Sequence, residues 1–307
     1  MSSEHNVAVD VAKTLVSVLS NEACIFTDQL TTEFKELLIR WSDVEVQVPF
    51  AILQPSFKHA AKHNIPFIAK GGGHSTWSTI GSGGWIIDLS LLRSISINNS
   101  AQTATIQAGV LTKTVNEAVT NKRFMIHSAN AANALKGAGQ YFGIVTEVTV
   151  KIFPQTTDII SWACIFAPPQ IKEVAKAVKE LVDGDDQKSF GVAMITLPPG
   201  LPGQTKPVIV VSITHFRSEA EAEGIMKPLL AANPVAQMKR PIAFSNLTDS
   251  ADKIDKKGGF KSVVSCGLNG FDPEKFEKCL DSWTGLVDEH PEAASTFFMF
   301  LWASKEG

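Results

Sequence analysis

The sequence has little of several things, and each shortage excludes something. Its longest apolar runs fall well short of the roughly 18 residues a membrane-spanning helix needs. Positive charge is not in excess: 28 Lys and Arg face 31 Asp and Glu, a net charge of −3 with a pI near 6.2. A basic groove for nucleic acid is therefore not supported. The four cysteines, Cys24, Cys164, Cys266 and Cys279, show no CxxC spacing. They are expected to be buried reduced thiols rather than zinc ligands or disulfides. Only one tyrosine, Tyr141, is present, which leaves the second half without a tyrosine base. The start, MSSEHNVAVDVAK, has an acid early and no basic run before an apolar stretch. No secretory signal is read there, and the expected location is intracellular, in the cytoplasm. Internal repeats and low-complexity tracts are also lacking.

What is present is a chain of 307 residues, 44% hydrophobic, enough for one large domain or two ordinary ones, each with a real core. Segment 7–19 has helical spacing in Val7, Val11, Leu15 and Val18. In 31–41, Phe34, Leu37, Leu38 and Trp41 form one apolar stripe. The alternation of 44–49 (VEVQVP) predicts a strand, and Pro55 and Ser56 open a short helix ending near Asn64. Strands are expected at 65–70, 85–89, 104–110 and 143–153. Thr114 and Glu117 have the spacing of a capping box opening a helix.

The texture changes after Pro154. Strands are expected at 159–166, 190–197, 207–216, 260–268 and 295–303. Helices are expected from Gln170, from the Ser218–Glu221 capping box, and from Asp272 with Pro273 at the first position. Residues 245–259 read as a polar surface loop. Trp283, Phe297, Phe298, Phe300 and Trp302 read as core or interdomain packing. Such strand–helix order is that of an α+β layer, a sheet with helices on one face. The halves are divided near 154–158.

Chemistry concentrates in Gly71-Gly72-Gly73-His74-Ser75, which follows a buried strand. Three glycines let backbone approach a ligand closely and let successive N–H groups converge on a phosphate. An ordinary turn is the simpler reading of the glycines alone. A nicotinamide-type fingerprint needs GxGxxG opening a helix, and HSTWSTIGSGG is no helix start. His59 and His63 share a helix face but lack the Glu of HExxH and a third ligand, so no metal site is expected.

The order of motifs in VEVQVPFAILQPSFKHAAKHNIPFIAKGGGHSTWSTIGSGGWIIDLSLLRSI, then ATIQAGVLTKTVNEAV, then ALKGAGQYFGIVTEVTVKIFP, closely resembles the FAD-binding domain of the berberine-bridge-enzyme-like flavoproteins. These are FAD-linked oxidoreductases of the vanillyl-alcohol-oxidase, or PCMH, type, and the fungal members look nearest. The resemblance covers roughly residues 40–154 by motif and the rest by element order. It implies a two-subdomain PCMH-type FAD-binding domain over 1–154, then an antiparallel-sheet substrate domain over 155–307 with helices on one face. It also implies that Gly71, Gly72, Gly73, Ser75 and Thr76 wrap the FAD pyrophosphate. By the same match His74 bonds covalently to the isoalloxazine, Val110 lies beside the flavin, and Gly143 and Ile144 make a second backbone contact. A neutral imidazole suits such attachment. The implied reaction removes a hydride from a small secondary-metabolite-type substrate to the flavin, whose chemistry the protein orients.

Two departures from the family pattern set an alternative beside this. The chain passes from IHSANAAN straight into ALKGAGQYFG, as though several dozen residues were absent near 130–134, and a C-terminal return to the FAD domain is not seen. The alternative is a truncated, non-catalytic relative that does not hold FAD. No catalytic base is nominated: His215 reads as an exposed loop histidine and Glu147 as a solvent-facing strand residue. The expected partner is a small-molecule substrate, with neither nucleic acid nor membrane.

Overall fold

Ala51–Gln54 is buried at every position, and the first half is organised around it. This strand, β2, pairs antiparallel with β1 (Cys24–Phe26). It runs parallel to β4 (Trp85–Asp88), which in turn runs parallel to β3 (Phe67–Lys70). The sheet order is β1-β2-β4-β3. Phe50, Ala51, Leu53 and Trp85 cluster on one face, and Ile52 and Ile86 meet Phe34 on the other. Strands buried on both faces read as continuous apolar runs. That is why 44–49 is not the strand its alternation predicts: Val46 and Val48 are exposed there, and the ladder begins at Ala51. Phe34 comes from helix α1 (Thr32–Leu38), whose Thr31 hydroxyl accepts from the Phe34 N–H at 3.3 Å.

The computed structural model describes residues 23–54, 66–75, 78–126, 143–156, 158–198, 206–249 and 256–303. The expected helix at 7–19, the helix carrying His59 and His63, Thr76, Tyr141 and the junction near 130–134 lie outside the described residues.

A second sheet, antiparallel throughout, follows in the order β5-β6-β8-β7, with β5 at Ile95–Asn98, β6 at Thr103–Gln107, β7 at Phe124–Ile126 and β8 at Glu147–Pro154. Helix α2 spans Thr112–Thr120 and buries Val115 and Val119. Its N-cap is Leu111, so Thr114 falls inside the first turn and the expected capping box does not form. The turn closed by Val110 N–H on Gln107 O, at 3.1 Å, delivers the chain into the helix early.

The chain divides into two compact units, Met1–Gln155 with Phe244–Val264, and Thr156–Ala243 with Ser265–Gly307. The strip 244–264, which sequence alone places with the second half, thus belongs to the first unit. It is not the strand expected at 260–268. Phe260 is 87% exposed and Val264 98%. Lys261 instead bonds to Ser42, its N–H to the Ser42 hydroxyl at 3.2 Å.

In the second unit, β9 (Ile159–Phe166), β10 (Ser189–Thr196), β11 (Val208–His215), β12 (Ala236–Ile242) and β13 (Phe298–Trp302) form one antiparallel sheet ordered β12-β9-β11-β10-β13. Alternate residues Ile209, Val211 and Ile213 point into the core with Cys164, Phe166 and Ile195. They meet Val174 and Val178 of α3 (Ile171–Asp183), Met226 and Leu229 of α4 (Glu219–Ala231), and Phe276 and Trp283 of α5 (Pro273–Glu289). Each such side chain contributes about 1.5–3 kcal/mol by leaving water. The caps are those expected: Ser218 N–H donates to Glu221 Oε2 at 3.1 Å, and Asp272 accepts from the Glu274 and Lys275 amides. Gly191 is required inside β10, because a Cβ there would stand 2.0 Å from the ring of its cross-strand partner Trp302. No helix among the described residues is long and apolar enough to cross a membrane.

Candidate functional site

The glycine loop leaves the end of β3 at Lys70, directly beside Asp88 at the end of the parallel neighbour β4. Lys70 Nζ lies 3.0 Å from Asp88 Oδ2, with side-chain exposures of 5% and 0%. Gln54 reaches the other carboxylate oxygen from β2 at 3.3 Å, and Ser90 N–H donates to it at 3.0 Å. Burial alone would raise the Asp88 pKa. The Ser90 hydrogen bonds and the Lys70 ion pair outweigh it and hold the carboxyl below its ordinary value. Leu89 N–H closes the arrangement on Lys70 O at 2.8 Å. The base of the loop is thus fixed by buried charge on two adjacent strands.

Three motifs separated in sequence come together around this base. A Cβ on Gly71 would touch Ala108 O at 3.2 Å. Gly109 packs so closely that a Cβ would stand 2.0 Å from Leu89 O. Ala108 N–H donates to Thr146 O at 3.0 Å, and Ile144 and Ala108 pack on the cluster of Ile87, Leu89 and Leu92. Gly71, Ile144 and Val110, the residue after Gly109, are therefore neighbours of one small region. Val110 and Ile144 are half-buried, and Gly143, beside Ile144, is exposed.

The loop itself is held from outside. Trp41 N–H donates to Gly73 O at 2.8 Å, and Gly73 has φ +72, a left-handed conformation that glycine alone takes freely. Gly71 and Gly72 are half-buried, while His74 and Ser75 are exposed. Among the described residues, the amides of Gly71, Gly72, Gly73 and His74 donate no hydrogen bond. Unused consecutive amides in a glycine turn with a left-handed residue form a cradle for an anion. The donor set therefore fits a diphosphate: backbone N–H groups, a cation at the loop base, and a carboxylate already neutralised by that cation. The exposed imidazole of His74 stands at the end of the cradle.

The candidate bases fare differently. Glu147 is exposed, as expected. His215 is not an exposed loop residue; it is the last residue of β11 and is 0% exposed. Its Nδ1 lies 2.8 Å from Ser189 Oγ, which donates to Asp186, itself paired with Arg217. With the Ser189 proton committed to Asp186, Nδ1 is the donor and Nε2 the bare acceptor, buried without a partner. Burial, with the charge of Arg217 added, lowers the His215 pKa to about 4. A closed-in neutral imidazole holds structure and cannot reach a substrate. The thiols also correct the expectation: all are free, but Cys24 and Cys266 are exposed, and only Cys164 is fully buried. No cluster of metal-ligating side chains occurs among the described residues.

Residues 53–139 match the FAD binding domain family. The chain is 24% identical to the FAD-linked oxidoreductase hasG of Aspergillus fumigatus, covering 84% of this chain and 68% of that one. It is 45% identical to the FAD-linked oxidoreductase OXR1 of Pyricularia oryzae over 81% of this chain and 60% of the relative. Its fold is similar to that of Physcomitrella patens BBE-like 1, with a TM-score of 0.74 at 13% identity over 97% of this chain and 78% of that one. Berberine bridge enzyme from Eschscholzia californica gives 0.62 at 11% identity, covering 93% and 72%. Residues 53–139 are thus of the FAD binding domain family, and the chain as a whole is similar to fungal FAD-linked oxidoreductases and has the fold of the berberine bridge enzymes.

Proposed function

We propose that this chain is an oxidoreductase that takes a hydride from a small secondary-metabolite-type substrate, with FAD attached through His74. The observation that carries this is the cradle: unused amides from Gly71 to His74, ending in an exposed imidazole. FAD, when bound, supplies the two-electron acceptor that no side chain here can replace. The chain's own residues would do the holding. The Gly71–His74 amides would receive the diphosphate, and Lys70, locked on Asp88, would fix the loop's position. Val110 and Ile144, half-buried beside Gly109 and Ala108, would flank the ring system.

The second unit's sheet has one side that its helices leave uncovered. That side carries Val192, Met194, Val210 and Ser212 in cross-strand rows, with Met299 and Leu301 44% and 57% exposed. The same face also carries Ser161, Thr196, Thr214 and Arg240, and such a mixed face suits a small metabolite with both apolar and polar groups.

The test is flavin retention. The purified protein is precipitated with acid, and flavin absorbance is read in pellet and supernatant. Flavin in the pellet that moves to the supernatant in His74→Ala supports attachment. A colourless protein that cannot be reconstituted with FAD would sink the reading.

A further inference from the structure

The strip 256–264 spans the end of the polar loop read at 245–259 and the start of the strand expected at 260–268, and its placement suggests another role. It carries Lys256, Lys257 and Lys261 and no acid. Gly258 and Gly259, with φ +82 and +78, turn it tightly against residues 40–43. Gly258 N–H donates to Arg40 O at 2.9 Å and Asp43 N–H to Gly259 O at 2.9 Å. Gly259 N–H donates to Asp43 Oδ2 at 2.6 Å, and the buried Ser42 hydroxyl donates to Lys261 O at 2.5 Å. Lys261 Nζ lies 4.9 Å from the Trp41 ring centroid. A segment tied at so many points is held in place, not merely solvated.

The other side of 40–43 is the glycine loop. Trp41 N–H holds Gly73 O, and a Cβ on Gly73 would meet Ile39 O at 3.4 Å and the Arg40 Cα at 3.5 Å. One layer of backbone therefore separates the strip from the cradle. We propose that the strip 256–261 is a wall of the cofactor site and that Lys257 on it neutralises the diphosphate of the dinucleotide. This rests on the FAD reading above. The charges near the loop support it. Asp88 is already engaged by Lys70, Gln54 and Ser90, and Asp43 by the Gly259 amide. Among the described residues Lys257 has no hydrogen bond or ion pair. Its pKa is lowered, by burial first and then by repulsion from Lys70, with Asp88 opposing. Lys257 is exposed, directly before Gly258, whose amide is bonded to Arg40 O, and the charges acting on it are Lys70 and Asp88 of the loop base. An anion at the cradle would offset the repulsion between the two lysines.

The test uses a His74→Ala background, in which flavin binding is reversible, and reads FAD affinity by flavin fluorescence quenching. Lys257→Ala is expected to weaken FAD binding about tenfold or more, the scale of a lost charge-assisted contact. It should also flatten the salt dependence, and Lys257→Arg should restore most of the affinity. In the same His74→Ala background, acylation of Lys257 mapped by mass spectrometry should slow when FAD or inorganic pyrophosphate is added, with Lys179 as the unprotected control. If FAD binds but neither affinity nor acylation depends on Lys257, the strip has no such role. A chain that binds no FAD at all overturns the cofactor reading and this inference with it. The two failures are therefore told apart by the parent protein alone.

Discussion

Lys70 Nζ sits 3.0 Å from Asp88 Oδ2, and both side chains are almost closed to solvent, at 5% and 0%. Removing one partner of such a pair leaves a buried charge without compensation, which costs about 3–5 kcal/mol. Lys70→Met should therefore lower the urea midpoint sharply. The double variant Lys70→Met/Asp88→Leu should recover much of the loss, since no lone charge remains. A single variant as mild as the double would show that the ion pair is not what fixes the loop base. The sign with pH follows from the lowered Asp88 pKa. Its contribution is present above the unfolded value and is lost as pH falls through the folded one.

Gly109 tests the convergence of the three motifs. A Cβ there would stand 2.0 Å from Leu89 O and 2.9 Å from Leu92 O, both backbone atoms that cannot swing away. Gly109→Ala should cost about 1–3 kcal/mol or more through forced backbone shifts. Gly224→Ala is the matched control. It lies inside α4 with nothing within 4 Å of the added carbon. That change should stabilise by about 0.5–1 kcal/mol. Equal losses in both variants, measured by thermal unfolding, would refute the close approach at Leu89.

His215 predicts how the second unit responds to acid. Its folded pKa of about 4 lies below the ordinary histidine value of 6.5. Between those values the unfolded chain binds the extra proton, so stability rises with pH there. It should be complete above about pH 6.5 and fall as pH drops toward 4, by on the order of 2–3 kcal/mol. His215→Gln keeps a hydrogen-bonding group beside Ser189 and cannot titrate. Chemical denaturation of both proteins from pH 7 to pH 4.5 should show a shallower loss in the variant. Parallel curves would mean that His215 is not the group responsible.

Much of this was legible, for identifiable reasons. The second unit's strands alternate cleanly, and its helices carry Asp272 and the Ser218–Glu221 pair at their starts, so period and caps agree. His215 reads in sequence as a loop residue because it ends its strand. Yet it continues the inward series Ile209, Val211, Ile213 by two residues, and that alternation was the available signal. The strand at Ala51–Gln54 was displaced onto 44–49 because burial on both faces erases alternation, the cue that exposed Val46 and Val48 happened to mimic. In the site, the glycines and His74 stand together in sequence and could be read. The Lys70–Asp88 pair could not, because its partners are 18 residues apart and meet only once β3 and β4 lie parallel. The strip 256–261 was hidden for the same reason: its bonds to Ser42 span 219 residues.

Gly73 separates holding the fold from holding the cofactor. Its φ of +72 places it in the left-handed region, and a Cβ would meet Lys70 Cε at 3.3 Å. The strain for an L residue there is about 1–2 kcal/mol. The lysine stem can give by a few tenths of an ångström, so Gly73→Ala should still fold with a modest drop in melting temperature. The cradle has less latitude. Any relaxation of φ at Gly73 rotates the neighbouring peptides and turns the amides of Gly73 and His74 away from a common point. Flavin affinity, measured in the His74→Ala background, should therefore fall by more than the stability loss accounts for. A Gly73→Ala protein that melts much earlier yet binds FAD as tightly as its parent would show that the left-handed turn serves the fold alone.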